Sequence, residues 1–152
     1  MAGVALVNPA DRHLRIIGGE RQKIGLWMLE RLPDIMDLPG GYEAIGVERD
    51  GILIGGCLFT NYTPCPGGGD ITIWAVGEKG WLSRRVIGVM FGYAFNQLKC
   101  HRMTAFTAKA NKPSRKLLEG LGFRLEGIAR QGMGPRRHAC IYSLLREEQG
   151  WV

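Results

Sequence analysis

The sequence predicts a mixed α/β fold: a mostly antiparallel sheet containing one parallel strand pair, with helices on both faces. Three observations predict it. A β-branched, apolar run from Ile71 to Val76 leads through a basic, glycine-containing loop into a segment whose apolar residues Leu82, Val86, Met90, Tyr93 and Leu98 follow the spacing of one buried helix face. Asp50-Gly51, the dipeptide suited to a two-residue type I′ turn, separates two strand-like runs. The later segments alternate strand, helix, strand, strand, giving the order β, α, three-strand meander, α, β, α, β, β.

Taken in order, residues 3–8 (GVALVN) form a short strand stopped by Pro9. Residues 16–32 carry apolar side chains at Ile17, Ile24, Trp27, Met28 and Leu32 and read as a helix ended by Pro33, with 33–41 as a loop. Residues 42–49 and 52–62 form the hairpin, and TPCPGGGD (63–70) reads as an irregular loop. Residues 71–76 are apolar enough for a strand covered on both faces. They run parallel to 102–108, since a helix intervenes. Residues 113–121 form a short helix with Pro113 in its first turn and Gly122 at its C-terminal cap. Residues 123–130 and 138–145 are the closing strands, and Trp151 fills a core gap or a subunit contact. With no internal repeat and no linker, residues 1–152 read as one domain.

Composition bounds the function. No apolar run is long enough to cross a bilayer and the first residues lack a signal-peptide layout, so no membrane is involved and a cytoplasmic setting is expected. Cys57, Cys65, Cys100 and Cys140 are scattered without metal-ligand spacing and read as inert thiols, so no metal is expected. Residues 1–98 hold nine Lys or Arg against ten Asp or Glu, whereas 99–152 hold eleven against four. The basic part thus fits a phosphorylated cofactor or a polyanion. Its cations are spread over several elements with few aromatics between them, which disfavours nucleic acid without excluding it.

The strand-to-helix junction at 77–85 is the first candidate site. A helix start leaves backbone N–H groups unpaired at the positive end of its dipole, and Lys79, Arg84 and Arg85 add charge there. An anion belongs there.

Residues 111–127, NKPSRKLLEGLGFRLEG, then bring a family into view. With 91–111 in the same register and LLREE near the end, the chain resembles the GNAT superfamily of acetyl-CoA-dependent N-acetyltransferases. Within it, the chain is similar to the branch acting on ribosomal proteins, protein N-termini and small amines. The resemblance implies a GNAT-like sheet splayed beside its central strand to hold acetyl-CoA. It places the pantetheine on Trp74, Ala75 and Val76 and the pyrophosphate on Lys79, Gly80, Trp81, Leu82, Ser83 and Arg84, with Asn111 and Ser114 beside the cofactor. Two departures stand out. Glu78 and Trp81 occupy the loop where the family uses Gln or Arg and Gly, and Leu118 stands where many members carry a tyrosine acid.

The implied reaction is acetyl transfer to a primary amine of a protein N-terminus, a lysine or a small molecule, by direct attack. Because an alkyl amine is almost fully protonated at neutral pH, a base is wanted. Asp70, Glu43 and Tyr142 are the catalytic candidates, Tyr142 being expected near the cleft mouth. The alternative is a catalytically weak or silent CoA-binding adaptor working through a protein or nucleic-acid partner, motivated by Trp81, Leu118 and the basic C-terminal part. Loops 33–42 and 61–70 are expected to choose the acceptor, and Trp151 with the last strand offers contacts for a possible homodimer.

Overall fold

The computed structural model describes residues 13–152. The strand expected at 3–8 lies outside the described residues. Seven strands form one sheet in the order β1-β2-β3-β4-β5-β7-β6. They are β1 (Leu14–Ile17), β2 (Tyr42–Arg49), β3 (Ile52–Cys65), β4 (Gly68–Gly77), β5 (Arg102–Ala108), β6 (Arg124–Gly134) and β7 (Arg137–Leu145). Only β4 and β5 pair in parallel; all other neighbours are antiparallel. The predicted class holds. The helices are α1 (Arg21–Leu29), α2 (Arg84–Gly92) and α3 (Lys112–Leu121).

Alternation along β4 separates two apolar layers. Ile71 and Ile73 join Val86, Met90, Leu118 and Leu121 from α2 and α3, whereas Trp74 and Val76 face Ile24 and Met28 from α1. Helices therefore cover both faces. Among the described residues no helix is long and apolar enough to cross a membrane.

Three expectations need correction. Residues 16–32 are not one helix: Ile16 and Ile17 belong to edge strand β1, paired with β2, and α1 begins only after Gly18-Gly19, where Gly19 has φ +77°. Two β-branched residues before a glycine pair suit a strand end better than a helix start. The 63–70 stretch is a hairpin rather than an irregular loop. Pro66-Gly67 turns the chain, with Gly67 at φ +81°, and Gly68 and Gly69 continue as strand. Their missing side chains are what His101 and Tyr62 require, since a Cβ on Gly68 would lie 2.4 Å from His101 Nδ1 and one on Gly69 2.8 Å from Tyr62 Cε2. Finally, the central helix is not regular to Leu98. After α2, residues Tyr93–Gln97 form a π-helical turn, closed by Leu98 N–H on the Tyr93 carbonyl at 2.9 Å. The wider turn rotates Ala94 and Phe95 into the core and leaves Tyr93 and Leu98 half-buried.

The hairpin turn is as expected, with Asp50 and Gly51 both at positive φ, +52° and +80°. Trp151 fills the core gap: its Nε1 donates to the Leu121 carbonyl at 2.9 Å, and Phe91 meets it edge to face. The last strand, β7, lies between β5 and β6 with both edges paired, so it offers no edge to a second copy; the exposed edge belongs to β6.

Candidate active site

The parallel pair is short. It runs from Asp70 opposite Arg102 to Ile73 opposite Ala105, after which β4 continues with β3 as far as Gly77 and β5 with β7 as far as Ala108. From Trp74 and Phe106 onward the facing edges of β4 and β5 diverge. The opening is a cavity of about 360 Å³. Its walls are Trp74, Ala75 and Val76 on one side, Phe106 and Thr107 on the other, and Leu117 and Leu118 from α3. Backbone groups of a strand edge without a ladder partner are free to bond a ligand.

Two helix N-termini point at this opening. Ser83 caps α2, its Oγ accepting from Val86 N–H at 3.2 Å, and Asn111 caps α3, its Oδ1 accepting from Ser114 N–H at 3.2 Å. Leu82, Asn111 and Ser114 line the cavity. Each cap satisfies one amide, and the first amides of a helix have no partner within it. Both helix dipoles thus present their positive ends to the same space.

The structure gives Trp81 a place. Its indole is 7% exposed and packs against Gly55 of β3 and Gly77 of β4. A Cβ on Gly55 would lie 2.3 Å from Trp81 Cε3, and one on Gly77 2.4 Å from Trp81 Cδ1. The side chain packs down onto the sheet at these two glycines and, beside Leu82, also lines the cavity. Gly80, at φ +87°, supplies the left-handed turn that lets the chain do this.

The basic loop is less uniformly available than its sequence suggests. Arg85 is drawn away to the Leu14 carbonyl at 3.2 Å, and Arg84 lies over the Trp151 ring at 5.4 Å. Lys79 forms no ion pair among the described residues. Arg49, on β2, brings its Nη2 within 3.3 Å of where a Gly80 Cβ would stand. Sequence reasoning missed this cation because β3 intervenes between β2 and the loop.

None of the three catalytic candidates lines the opening. Asp70 sits at the closed end of the parallel pair, accepting from Thr104 Oγ1 at 2.8 Å and pairing with Arg102 at 3.4 Å. Arg102 also bonds Glu126 through both terminal nitrogens and, by that bond, holds the Glu126 carboxyl below its ordinary value. Glu43 lies on β2, salt-bridged to Arg21 at 3.8 Å, and borders two other cavities beside Tyr93. Tyr142 is not at the cleft mouth. It is fully buried beneath α3, where Arg115 Nε donates to its hydroxyl at 3.1 Å and the hydroxyl donates to Glu119 Oε1 at 2.8 Å. Burial raises its pKa further above the working range. Leu118, in the tyrosine position, is buried against the cleft and carries no proton to give.

The two loops expected to choose the acceptor lie differently with respect to the cavity. Pro33 and Asp34 line the cavity, but 61–70 forms the β3–β4 hairpin and contributes nothing to it. Asp34, Leu32, Phe106 and Thr107 are among the lining residues that sequence reasoning did not single out.

Residues 18–124 match the model of the acetyltransferase (GNAT) domain. The chain belongs to the GNAT acetyltransferases. Among curated proteins it is 29% identical to one described as "Putative ribosomal N-acetyltransferase YdaF" of Bacillus subtilis strain 168, over 95% of this chain and 91% of that one. Its fold is similar to that of a variant of the spermidine N-acetyltransferase SpeG from Vibrio cholerae, with a TM-score of 0.71 at 17% identity, covering 89% of this chain and 95% of that one. It is likewise similar to Mycobacterium smegmatis RimJ in complex with CoA-disulfide, with a TM-score of 0.60 at 21% identity over 82% of this chain and 59% of that one. The GNAT chain is thus an acetyltransferase by family, and in it β4 and β5 pair only as far as Ile73 and Ala105.

Proposed function

We propose that the protein binds acetyl-CoA in the β4–β5 opening and transfers its acetyl group to a primary amine by direct attack. The observation that carries this reading is the coincidence of the splayed strand edge with two capped helix N-termini on one cavity. The fit is specific: a linear amide-containing arm matches an unpaired strand edge, and a diphosphate matches the α2 N-terminus. In this reading Trp74, Ala75 and Val76 hold the arm, and Lys79 through Arg84 hold the diphosphate. Within that loop Trp81 contributes as a packed wall of the cavity. Asn111 and Ser114 form the companion wall.

Acetyl-CoA supplies a thioester whose carbonyl carbon is attacked by the neutral amine nitrogen, so that the C–N bond forms as the C–S bond breaks. The nitrogen's surplus proton leaves to the thiolate or to water. With Leu118 in the acid position and Asp70, Glu43 and Tyr142 outside the cavity, solvent-mediated proton transfer is the reading these residues support. The acceptor is a protein N-terminus, a lysine or a small amine, in keeping with the descriptions of the YdaF and SpeG relatives. Trp81, one motive for a silent adaptor, is packed on Gly55 and Gly77 and forms part of the wall of this cavity, which is compatible with cofactor binding.

Isothermal titration with acetyl-CoA, followed by thiol release over a panel of amines, tests the proposal. Binding in the range of about 1 μM to 1 mM usual for enzyme substrates, with turnover on at least one amine, is expected. Binding without thiol release from any amine would instead favour the adaptor, and no binding would remove the cofactor assignment.

A further inference from the structure

The cleft holds one ionisable side chain. Among the described residues that line it, Asp34 alone carries a charge. Its side chain is 10% exposed and is met by Arg137 Nη2 at 2.6 Å, whereas the arginine side chain is 47% exposed. The carboxylate is therefore a fixed feature of the cavity wall, and its cation reaches it from the solvent side. Arg137 stands at the turn between β6 and β7, beside Arg136 at φ +61° and Gly134 at φ +130°, and its other contact is a long one, to the Met133 carbonyl at 3.4 Å. Much of the rest of the cavity wall is apolar and aromatic. Trp74 and Phe106 lie with ring centroids 6.2 Å apart, and Leu32 and Pro33 are part of it. Aromatic faces next to a carboxylate attract an organic cation.

We propose that Asp34 is the specificity-determining residue of the acceptor side, and that Arg137 occupies in the free protein the position taken by a second ammonium of the acceptor. The preferred acceptor is then a short diamine or longer polyamine rather than a monoamine. This rests on the acetyltransferase reading of the cleft. A nearly buried carboxylate stripped of its cation is costly, whereas replacing one cation by another leaves it paired throughout. The exchange also bears on the chemistry. An ammonium bound at Asp34 lowers the proton affinity of the amine a few bonds away, because like charges disfavour one another, and so raises the fraction of neutral nucleophile. A cleft without another titratable side chain has use for that effect.

Calorimetric titration of the CoA-loaded protein with 1,3-diaminopropane and with propylamine tests the assignment. The wild type should bind the diamine more tightly. Asp34→Asn should weaken diamine binding by about tenfold or more and leave propylamine within about twofold, as expected for loss of a charged hydrogen bond. Arg137→Gln should do the opposite and tighten the diamine, because it removes the competing cation. An ion pair that merely ties two loops together predicts the same direction for both substitutions, and that result would overturn the proposal. So would equal binding of the two amines by the wild type. If Asp34→Asn does not fold, Arg137→Gln decides alone: unchanged or weakened diamine binding counts against the idea. The same titrations without CoA, beside a separate acetyl-CoA titration, keep the two readings apart. Failure of acetyl-CoA to bind removes the acetyltransferase mechanism, while the diamine preference and its opposite-signed response still judge Asp34.

Discussion

Adding one methyl group at Gly55 should expel Trp81 and disable the anion loop. The new Cβ would stand 2.3 Å from Trp81 Cε3, so the ring must move by more than about 1 Å to regain ordinary carbon–carbon contact. It cannot slide along the sheet, because Gly77 abuts the same indole from the next strand at 2.4 Å on the same measure. Two outcomes bound the effect. If the sheet yields, overpacking costs about 1–3 kcal/mol. If the ring leaves, the upper limit is its burial of about 150–250 Å², or about 4–6 kcal/mol at 25 cal/mol per Å². An expelled indole would also stand beside Leu82 and Ser83, where the diphosphate is proposed to lie. Gly55→Ala should therefore lose stability in urea denaturation and acetyl-CoA affinity in calorimetry together. Trp81→Ala/Gly55→Ala, which removes the clash, should be less destabilised than the sum of its single substitutions. A Gly55→Ala protein with wild-type stability and affinity would refute the argument, since the glycine would then not be required by the tryptophan.

Three further outcomes are expected. Ser83→Ala removes the α2 cap and should cost about 0.5–2 kcal/mol by chemical denaturation, with CoA affinity falling as the helix start loosens. Tyr142→Phe removes the hydroxyl between Arg115 and Glu119 and should cost about 1–2 kcal/mol while leaving kcat unchanged; a large loss of kcat at unchanged stability would return Tyr142 to the catalytic candidates. Glu126, bonded by Arg102, has a folded-state pKa below its unfolded value of about 4.3, so its contribution is present above that value and is lost as pH falls through the lower folded one. Glu126→Gln should thus lower stability at neutral pH by no more than about 1 kcal/mol for so exposed a pair, and its thermal midpoint should converge with that of the wild type in acid.

What was legible in the sequence was local. Asp50-Gly51 placed a turn between strands ending at Arg49 and starting at Ile52, because a two-residue turn with both φ positive admits few dipeptides. The residues of β5 read as a strand, although the structure covers both of its faces, and α3 carries its own start and stop in Pro113 and Gly122. Even the anion site was local, being a loop and the helix after it. The direction of Trp81 was not. It depends on Gly55, on the neighbouring strand, and on Gly77, and a glycine in a strand announces a close approach without saying what approaches. Glycine in Pro66-Gly67-Gly68-Gly69 misled for the same reason, since two of those residues are strand positions covered by Tyr62 and His101. Asp34 was covered only by the general expectation for loop 33–42, because its own significance comes from Arg137, 103 positions away.

These long-range pairs give the cleft a direction. At the outer end of β4 stand the α2 N-terminus, Lys79 and Arg49, a place for negative charge. On the wall formed by Trp74, Phe106 and Asp34 the only ionic group is a carboxylate, a place for positive charge. A phosphorylated thioester and an aminated acceptor that enter such a cleft are sorted by sign before any shape is read. The net charge of +6 conceals this, since the chain as a whole repels the very cation that Asp34 would bind. Association of a cationic acceptor should therefore speed up as salt screens the surface, up to the point where the short-range pairing with Asp34 weakens, whereas acetyl-CoA binding should weaken steadily with salt. The share that belongs to Asp34 is read from the difference between wild type and Asp34→Asn: removing the carboxylate should remove the high-salt weakening of diamine binding, and an unchanged salt dependence would mean that the acceptor does not meet Asp34.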